Sequence, residues 1–378
     1  MVTRRKATLS PSRALFICGT INQTTQLHVV ATQLPECQAF FTPFYSQGII
    51  DLAARAGVLE NTILGRRQTA ACLAYLRKHE LSIDHHGRTG HYDLVVTCTD
   101  LLIPANVTGA PLLVVQEGML DTETLWSHCV DRLNLPPYLC GTTLTGVHGR
   151  YTQLCVASEG FRDLLVRRGA PAARLRVTGI PNFDHCDTFR SNRLPERDYV
   201  LVCTSDLRET WRVDRRKQFL ERARRIAAGR PLHIKFHPNE NHARARREAL
   251  SVCPTARIHV HERTEELVAN CTVLITQVSS VTFVGLALGK EVYSDLDLTA
   301  LRSLLPLQNA GRSAQNIADV CRELLPATGT RGTMAPAAHG PALYSQTSVN
   351  GLARRAGGAP DSADPADPAN LANSNGRA

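Results

Sequence analysis

Two serines, Ser279 and Ser280, follow an apolar run ending in Thr276-Gln277 and precede an apolar stretch of helical character. A helix start exposes backbone N–H groups with no partner inside the helix, and short hydroxyl side chains let an anion approach closely. The segment Gln277–Ser280 therefore reads as a phosphate seat, with a plain helix cap as the other reading. Upstream, HIKFHPNEN places His237 directly before Pro238, which blocks helix continuation and shapes a turn. Lys235 and His237 become candidates for contacts to a nucleotide phosphate or ribose; the plainer reading of His237 is a turn residue. Thr204, Ser205 and Arg208 lie in CTSDLRETW, after another short apolar run. They either reach a pyrophosphate or cap the following helix. Asp100 closes DLVVTCTD and Glu117 lies in LVVQEG. Two carboxylates at neighbouring strand ends suit proton abstraction from a hydroxyl, and burial would raise their pKa toward neutrality. The alternatives are that Glu117 binds loop backbone and Asp100 caps a helix. Together with His237 they are the catalytic candidates. Gly19 and Thr20, after the first apolar run, form a loop on the same expected edge.

These residues sit at the ends of strands that alternate with helices. Between residues 198 and 325 the strand candidates are Tyr199–Cys203, Leu232–Phe236, Arg257–His261, Val273–Thr276 and Glu291–Tyr293. Helical spacing covers Arg212–Ala228, Asn241–Ser251, Thr264–Asn270 and Ser280–Leu288. Residues 13 to 180 alternate less evenly, with strands expected at Ala14–Cys18, Gln38–Phe41, Leu94–Cys98, Leu112–Gln116, Leu154–Ala157 and Leu175–Thr178, and helices at Gln23–Gln33, Gln47–Ala56, Arg67–His79 and Glu159–Arg168. Such alternation implies crossovers and parallel sheets. The polar segment Asn182–Arg197 reads as a linker. The expected organisation is a flexible start over 1–12, an acceptor domain over 13–190, a nucleotide-donor domain over 198–326 and a disordered tail over 327–378. The fold class is α/β: two doubly wound, Rossmann-like parallel-sheet domains facing a cleft, where strand ends bind ligands.

The pairing of K-x-H-P with S-S-x-x-x-x-x-x-L-x-K resembles the carboxyl-terminal domain of GT-B fold glycosyltransferases and their relatives. These include capsule-polymer transferases, CDP-glycerol glycerophosphotransferases and UDP-N-acetylglucosamine 2-epimerase. The resemblance implies that His237, Pro238, Ser279 and Ser280 bind a donor nucleotide. The segment RVTGIPNFD (Arg176–Asp184) looks like the stretch before the interdomain linker of that group. Two departures count against epimerisation. Val281 stands where the epimerase has the first of two glycines, and CTSDLRETW stands in place of its His-Arg-Arg-Glu-Asn segment. The implied activity is sugar transfer from a nucleotide-activated donor to a glycan or small-molecule acceptor, without a metal or other cofactor. Alternatives are UDP-sugar 2-epimerisation, glycerophosphate transfer and a non-catalytic nucleotide- or glycan-binding role.

Composition narrows the remaining classes. The chain has 378 residues, is 43% hydrophobic, 20% charged and 5% aromatic, and has a formal charge of +9. That is near the globular average, so fibrous and wholly disordered classes are excluded. The longest apolar runs fall far short of a membrane span, and no signal-peptide-like segment follows the basic start, so a cytoplasmic protein is expected. The 12 cysteines contain no C-x-x-C pair and suit buried positions in a reducing compartment. Arg clusters at 212–225 and 244–247 lack interleaved aromatics, which argues against a nucleic-acid partner. They fit solvated helix faces, and the Arg-rich start is compatible with peripheral association at the inner membrane face. Asp84-His85-His86 with His91 matches no metal-site spacing and reads as an exposed loop, and Asp295-Leu296-Asp297 is a D-x-D in the wrong architecture.

Overall fold

Apolar runs of three to six residues, rich in Val, Leu and Ile, are suited to strands covered on both faces. Six of them form the first sheet: β1 (Arg13–Cys18), β2 (Gln38–Pro43), β3 (Leu94–Thr97), β4 (Leu112–Val115), β5 (Gln153–Val156) and β6 (Leu175–Val177). Five form the second: β7 (Val200–Cys203), β8 (Leu232–Lys235), β9 (Arg257–His259), β10 (Val273–Thr276) and β11 (Glu291–Tyr293). The orders are β2-β1-β3-β4-β5-β6 and β11-β10-β7-β8-β9, with every pairing parallel. This is a computed structural model describing residues 11–326 except 61, 210 and 211. The expectations for the basic start up to residue 10 and for the tail from 327 lie outside the described residues.

Strand order sets where a ligand can sit. In the first sheet the chain moves outward from β1 to β2, then returns to build β3 to β6 on the other side. In the second it runs β7, β8, β9 and returns for β10 and β11. Each reversal leaves a crevice at the carboxyl ends of the strands flanking it. Those strands are β1 and β3 in one lobe, β7 and β10 in the other.

The expected elements are present within a few residues at each end. Three helices were not read from the sequence: Leu125–Arg132, Leu298–Ser303 and Ser313–Leu324. The last one changes the domain boundary. It does not cover the second sheet, as a 198–326 domain requires. It buries Ala314, Ile317, Val320 and Cys321 in the first lobe's core beside Leu27 and Val30. Arg322 pairs with Glu36 at 2.7 Å, and Asn316 donates to the Thr178 carbonyl at 3.0 Å. An apolar stripe needs an apolar partner, and the partner this chain offers is across the linker. Both lobes thus belong to one compact unit. Among the described residues, no helix is long and apolar enough to cross a membrane.

Because Ile317 is fully buried, Ile317→Ala should cost about 2–5 kcal/mol of stability in urea unfolding. A loss below about 1 kcal/mol would mean that the returning helix does not complete the first lobe's core.

Candidate active site

The second lobe's site rests on a buried carboxylate. Glu240, in the turn after β8, has a fully buried side chain. It accepts from the backbone N–H of His237 at 2.9 Å, from the Thr204 hydroxyl and from the Arg216 guanidinium. Arg216 is itself buried; it also donates to the Ser205 carbonyl at 3.1 Å and meets Asp214 at 3.2 Å. The Ser205 hydroxyl donates to the Val278 carbonyl at 3.3 Å. The loops after β7, β8 and β10 are therefore stitched together along one edge. A buried ion pair is tolerated only when its remaining hydrogen-bonding positions are filled, and here most of them are.

On that edge, Ser280 takes the cap position of helix Val281–Ala287, yet its side chain makes no cap hydrogen bond. The Ser279 hydroxyl accepts from the Val281 N–H at 3.3 Å. Gln277 is 5% exposed, and its side-chain carbonyl oxygen has no protein partner. His237 is about one-third exposed; its Nδ1 lies 3.5 Å from the Asp206 carboxylate and 3.3 Å from the Asn239 N–H.

The first lobe contributes Glu117. Its two oxygens accept from the Thr20 hydroxyl at 2.9 Å and the Gln23 amide at 2.5 Å. Thr20 also caps helix Ile21–Thr32. Gln23 folds back over Gly19, where any Cβ would lie 2.0 Å from the Gln23 amide oxygen, so a side chain there would have to displace the Gln23 amide. Gln116 holds the Glu117 loop from beneath, donating to the Gly118 carbonyl at 2.7 Å and accepting from the Ala157 N–H at 2.9 Å.

The two groups face each other. A Cβ at Gly118 would lie 3.9 Å from the Ser280 Cβ and 3.6 Å from the Phe183 ring. Arg67 of the first lobe donates to the Pro238 carbonyl at 3.2 Å, and Arg212 meets Asp121 at 3.3 Å across the gap. Burial raises the Asp121 pKa, but hydrogen bonds from Thr142 and the charge of Arg212 outweigh it and hold the carboxyl below its ordinary range. Beside β2, a cavity of about 360 Å³ is lined by residues including Ser46, Arg66, His85 and His86. The Ser46 hydroxyl is buried and unpartnered.

The same architecture recurs in solved structures. A UDP-GlcNAc 2-epimerase from Methanocaldococcus jannaschii, in complex with UDP-GlcNAc and UDP, is similar with a TM-score of 0.50 and 14% identity, over 82% of this chain and 99% of that one. The fold is GT-B. The epimerase of Rickettsia bellii (TM-score 0.46, 11% identity, 83% and 96% covered) is also similar. So is the wall teichoic acid polymerase TagF (0.44, 11%, 85% and 90%). No protein-family model matches the sequence. No curated protein matches it either.

Within the GT-B cleft the expected residues divide sharply. Glu117, Gly19, Thr20, Gln277, Ser279, Ser280, His237 and the Pro238 backbone come to the facing strand ends. Lys235 does not: its ammonium is buried and donates to the Val260 carbonyl at 2.6 Å, and burial lowers its pKa. Arg208 is held on the flank by Glu248 at 2.7 Å and Asp214 at 3.1 Å. Thr204 and Ser205 are buried, and their hydroxyls bind the protein rather than facing the gap. Asp100 is 2% exposed and accepts from the Gly146 N–H at 2.9 Å, so it anchors a loop. Burial raises its pKa, against the hydrogen bonds that lower it. Asp297 caps helix Leu298–Ser303 and Asp295 pairs with Arg222, which accounts for the D-x-D. Asp84, expected in an exposed loop, is buried and accepts from Tyr92 and from the Arg88 and Thr89 N–H groups. Sequence reading missed Glu240, Arg216, Gln23 and Arg67. The first lies inside HPNEN and the third one turn after Thr20, so both carried a local signal.

Glu240→Ala would leave Arg216 buried without its partner. Urea unfolding should show a loss of about 3–5 kcal/mol, while the double change Glu240→Leu with Arg216→Met should lose clearly less. Equal losses in single and double variants would refute the pairing.

Proposed function

We propose that the protein transfers a sugar from a nucleotide-activated donor to a hydroxyl-bearing acceptor. The facing of Glu117-Gly118 and Ser279-Ser280 across the GT-B cleft carries this reading. On the donor side, the free Ser280 hydroxyl and the part-exposed His237 ring are a donor set for nucleotide phosphates. Such donors stabilise charge on a departing nucleotide, so no resident metal is required for the step. On the acceptor side, Glu117 takes the proton of the attacking hydroxyl, oriented by Thr20 and Gln23. The acceptor lies against the first lobe, with the cavity beside Ser46 and His86 as room for its remainder. The bound UDP-GlcNAc and UDP of the Methanocaldococcus jannaschii structure support a nucleotide-sugar donor.

Titration calorimetry with UDP, CDP and CMP tests the donor side. Ser280→Ala and His237→Ala should each weaken the best ligand roughly tenfold, the effect of a charge-assisted hydrogen bond, with unchanged melting temperature. Unchanged affinity in both variants removes the donor assignment. Glu117→Gln should lower turnover about 10²–10⁴-fold while nucleotide affinity holds. Incubation with UDP-GlcNAc and no acceptor separates the runner-up reaction: an epimerised product would replace transfer with 2-epimerisation.

A further inference from the structure

A second cluster lies on the face of the second sheet and shares no residue with the cleft. His233 of β8 and His259 of β9 point to the same face, because β8 and β9 pair in register with His233 opposite Arg257 and Lys235 opposite His259. Both imidazoles are buried. His259 Nε2 lies 3.1 Å from His233 Nδ1, and Glu196, from the linker before β7, lies 3.5 Å from His233 Nε2. One donor atom from each of the three residues falls within 4.8 Å of the others.

We propose that Glu196, His233 and His259 bind a divalent first-row transition ion, zinc by preference, independently of the nucleotide site.

Four observations carry this. One ion can use only one nitrogen of His233: its Nδ1 stands 3.1 Å from His259 Nε2, close to the roughly 3.3 Å between two nitrogens on a tetrahedral zinc, and Glu196, which lies on the Nε2 side of that ring, joins the set by turning its side chain. Glu262 lies 3.1 Å from His259 Nδ1. That carboxylate lies on the side of the His259 ring away from His233, where the second-layer partner of a histidine ligand stands. The Tyr199 ring stacks on His233 with centroids 3.8 Å apart and fixes its plane. Arg257 contacts the other oxygen of Glu196, leaving one oxygen toward His233. Imidazole with one carboxylate favours zinc over magnesium or calcium, which prefer all-oxygen sites. Glu196 and Glu262 are each about one-third exposed, so an ion can enter and a water can complete four-coordination. Bound there, the ion would fasten the interlobe linker to the outer strands of the second sheet.

The full chain, stripped with EDTA and dialysed, should take up one Zn²⁺ per chain in titration calorimetry and elemental analysis. His259→Ala and Glu196→Gln should each weaken binding at least tenfold. Glu196 is partly exposed, so its variant should keep the wild-type circular dichroism and remains informative if His259→Ala fails to fold. Co²⁺ in place of zinc should give visible d–d bands without a sulfur-to-cobalt charge-transfer band. Absence of stoichiometric uptake by the wild type, binding unchanged in Glu196→Gln, or a sulfur charge-transfer band that assigns the ion to cysteines would each overturn the site.

Discussion

The arrangement of the second lobe depends on a carboxylate removed from water. Glu240 joins a backbone N–H, a hydroxyl and a guanidinium from segments well separated in the chain. An unpaired carboxylate at that depth would be severely destabilising, so the segments carrying Thr204, Arg216 and His237 cannot move apart without exposing it or leaving Arg216 uncompensated. This makes the rim of the cleft stiff where the ligand contacts are proposed. It also explains why Thr204 and Ser205 are unavailable to a ligand. Their hydroxyls hold the rim, and the groups left over beside it are the His237 ring, the Ser280 hydroxyl and the buried, unpartnered side-chain oxygen of Gln277.

The first lobe solves a related problem with weaker, neutral partners. Glu117 is half-buried, and Thr20, Gln23 and Gln116 fix its loop through hydrogen bonds rather than ion pairs. Hydroxyl and amide donors from Thr20 and Gln23 give the carboxylate a defined direction. The two lobes thus present different chemistry: donors for an anion on one side, an oriented carboxylate on the other. The returning helix Ser313–Leu324 ties the end of the second lobe to the core of the first, so the cleft is bounded by two crossings of the chain.

The sheets were legible because parallel strands buried on both faces are written as short apolar runs, and the runs survive without any tertiary information. The facing serines and His237 were legible for the same reason: strand ends of a parallel sheet share an edge. Lys235 and Arg208 were misplaced because sequence gives a side chain's strand but not its company. Lys235 shares its face with β9, where the Val260 carbonyl waits, and Arg208 finds two carboxylates before it finds the gap. Asp100 ends its strand as expected, yet Gly146, far along the chain, determines its role. Helix Ser313–Leu324 has strong periodicity, but nothing local says that the face it covers belongs to the other lobe.

Gly118 shows how closely the two halves are fitted. Its neighbours across the gap are Ser280 at 3.9 Å and the Phe183 ring at 3.6 Å from where a Cβ would stand. Those are ordinary contact distances, so a Cβ at this position touches the Phe183 ring and Ser280 without a clash. Phe183 meets Phe283 edge to face at 6.2 Å, so the linker packs directly on the helix that begins at Ser280.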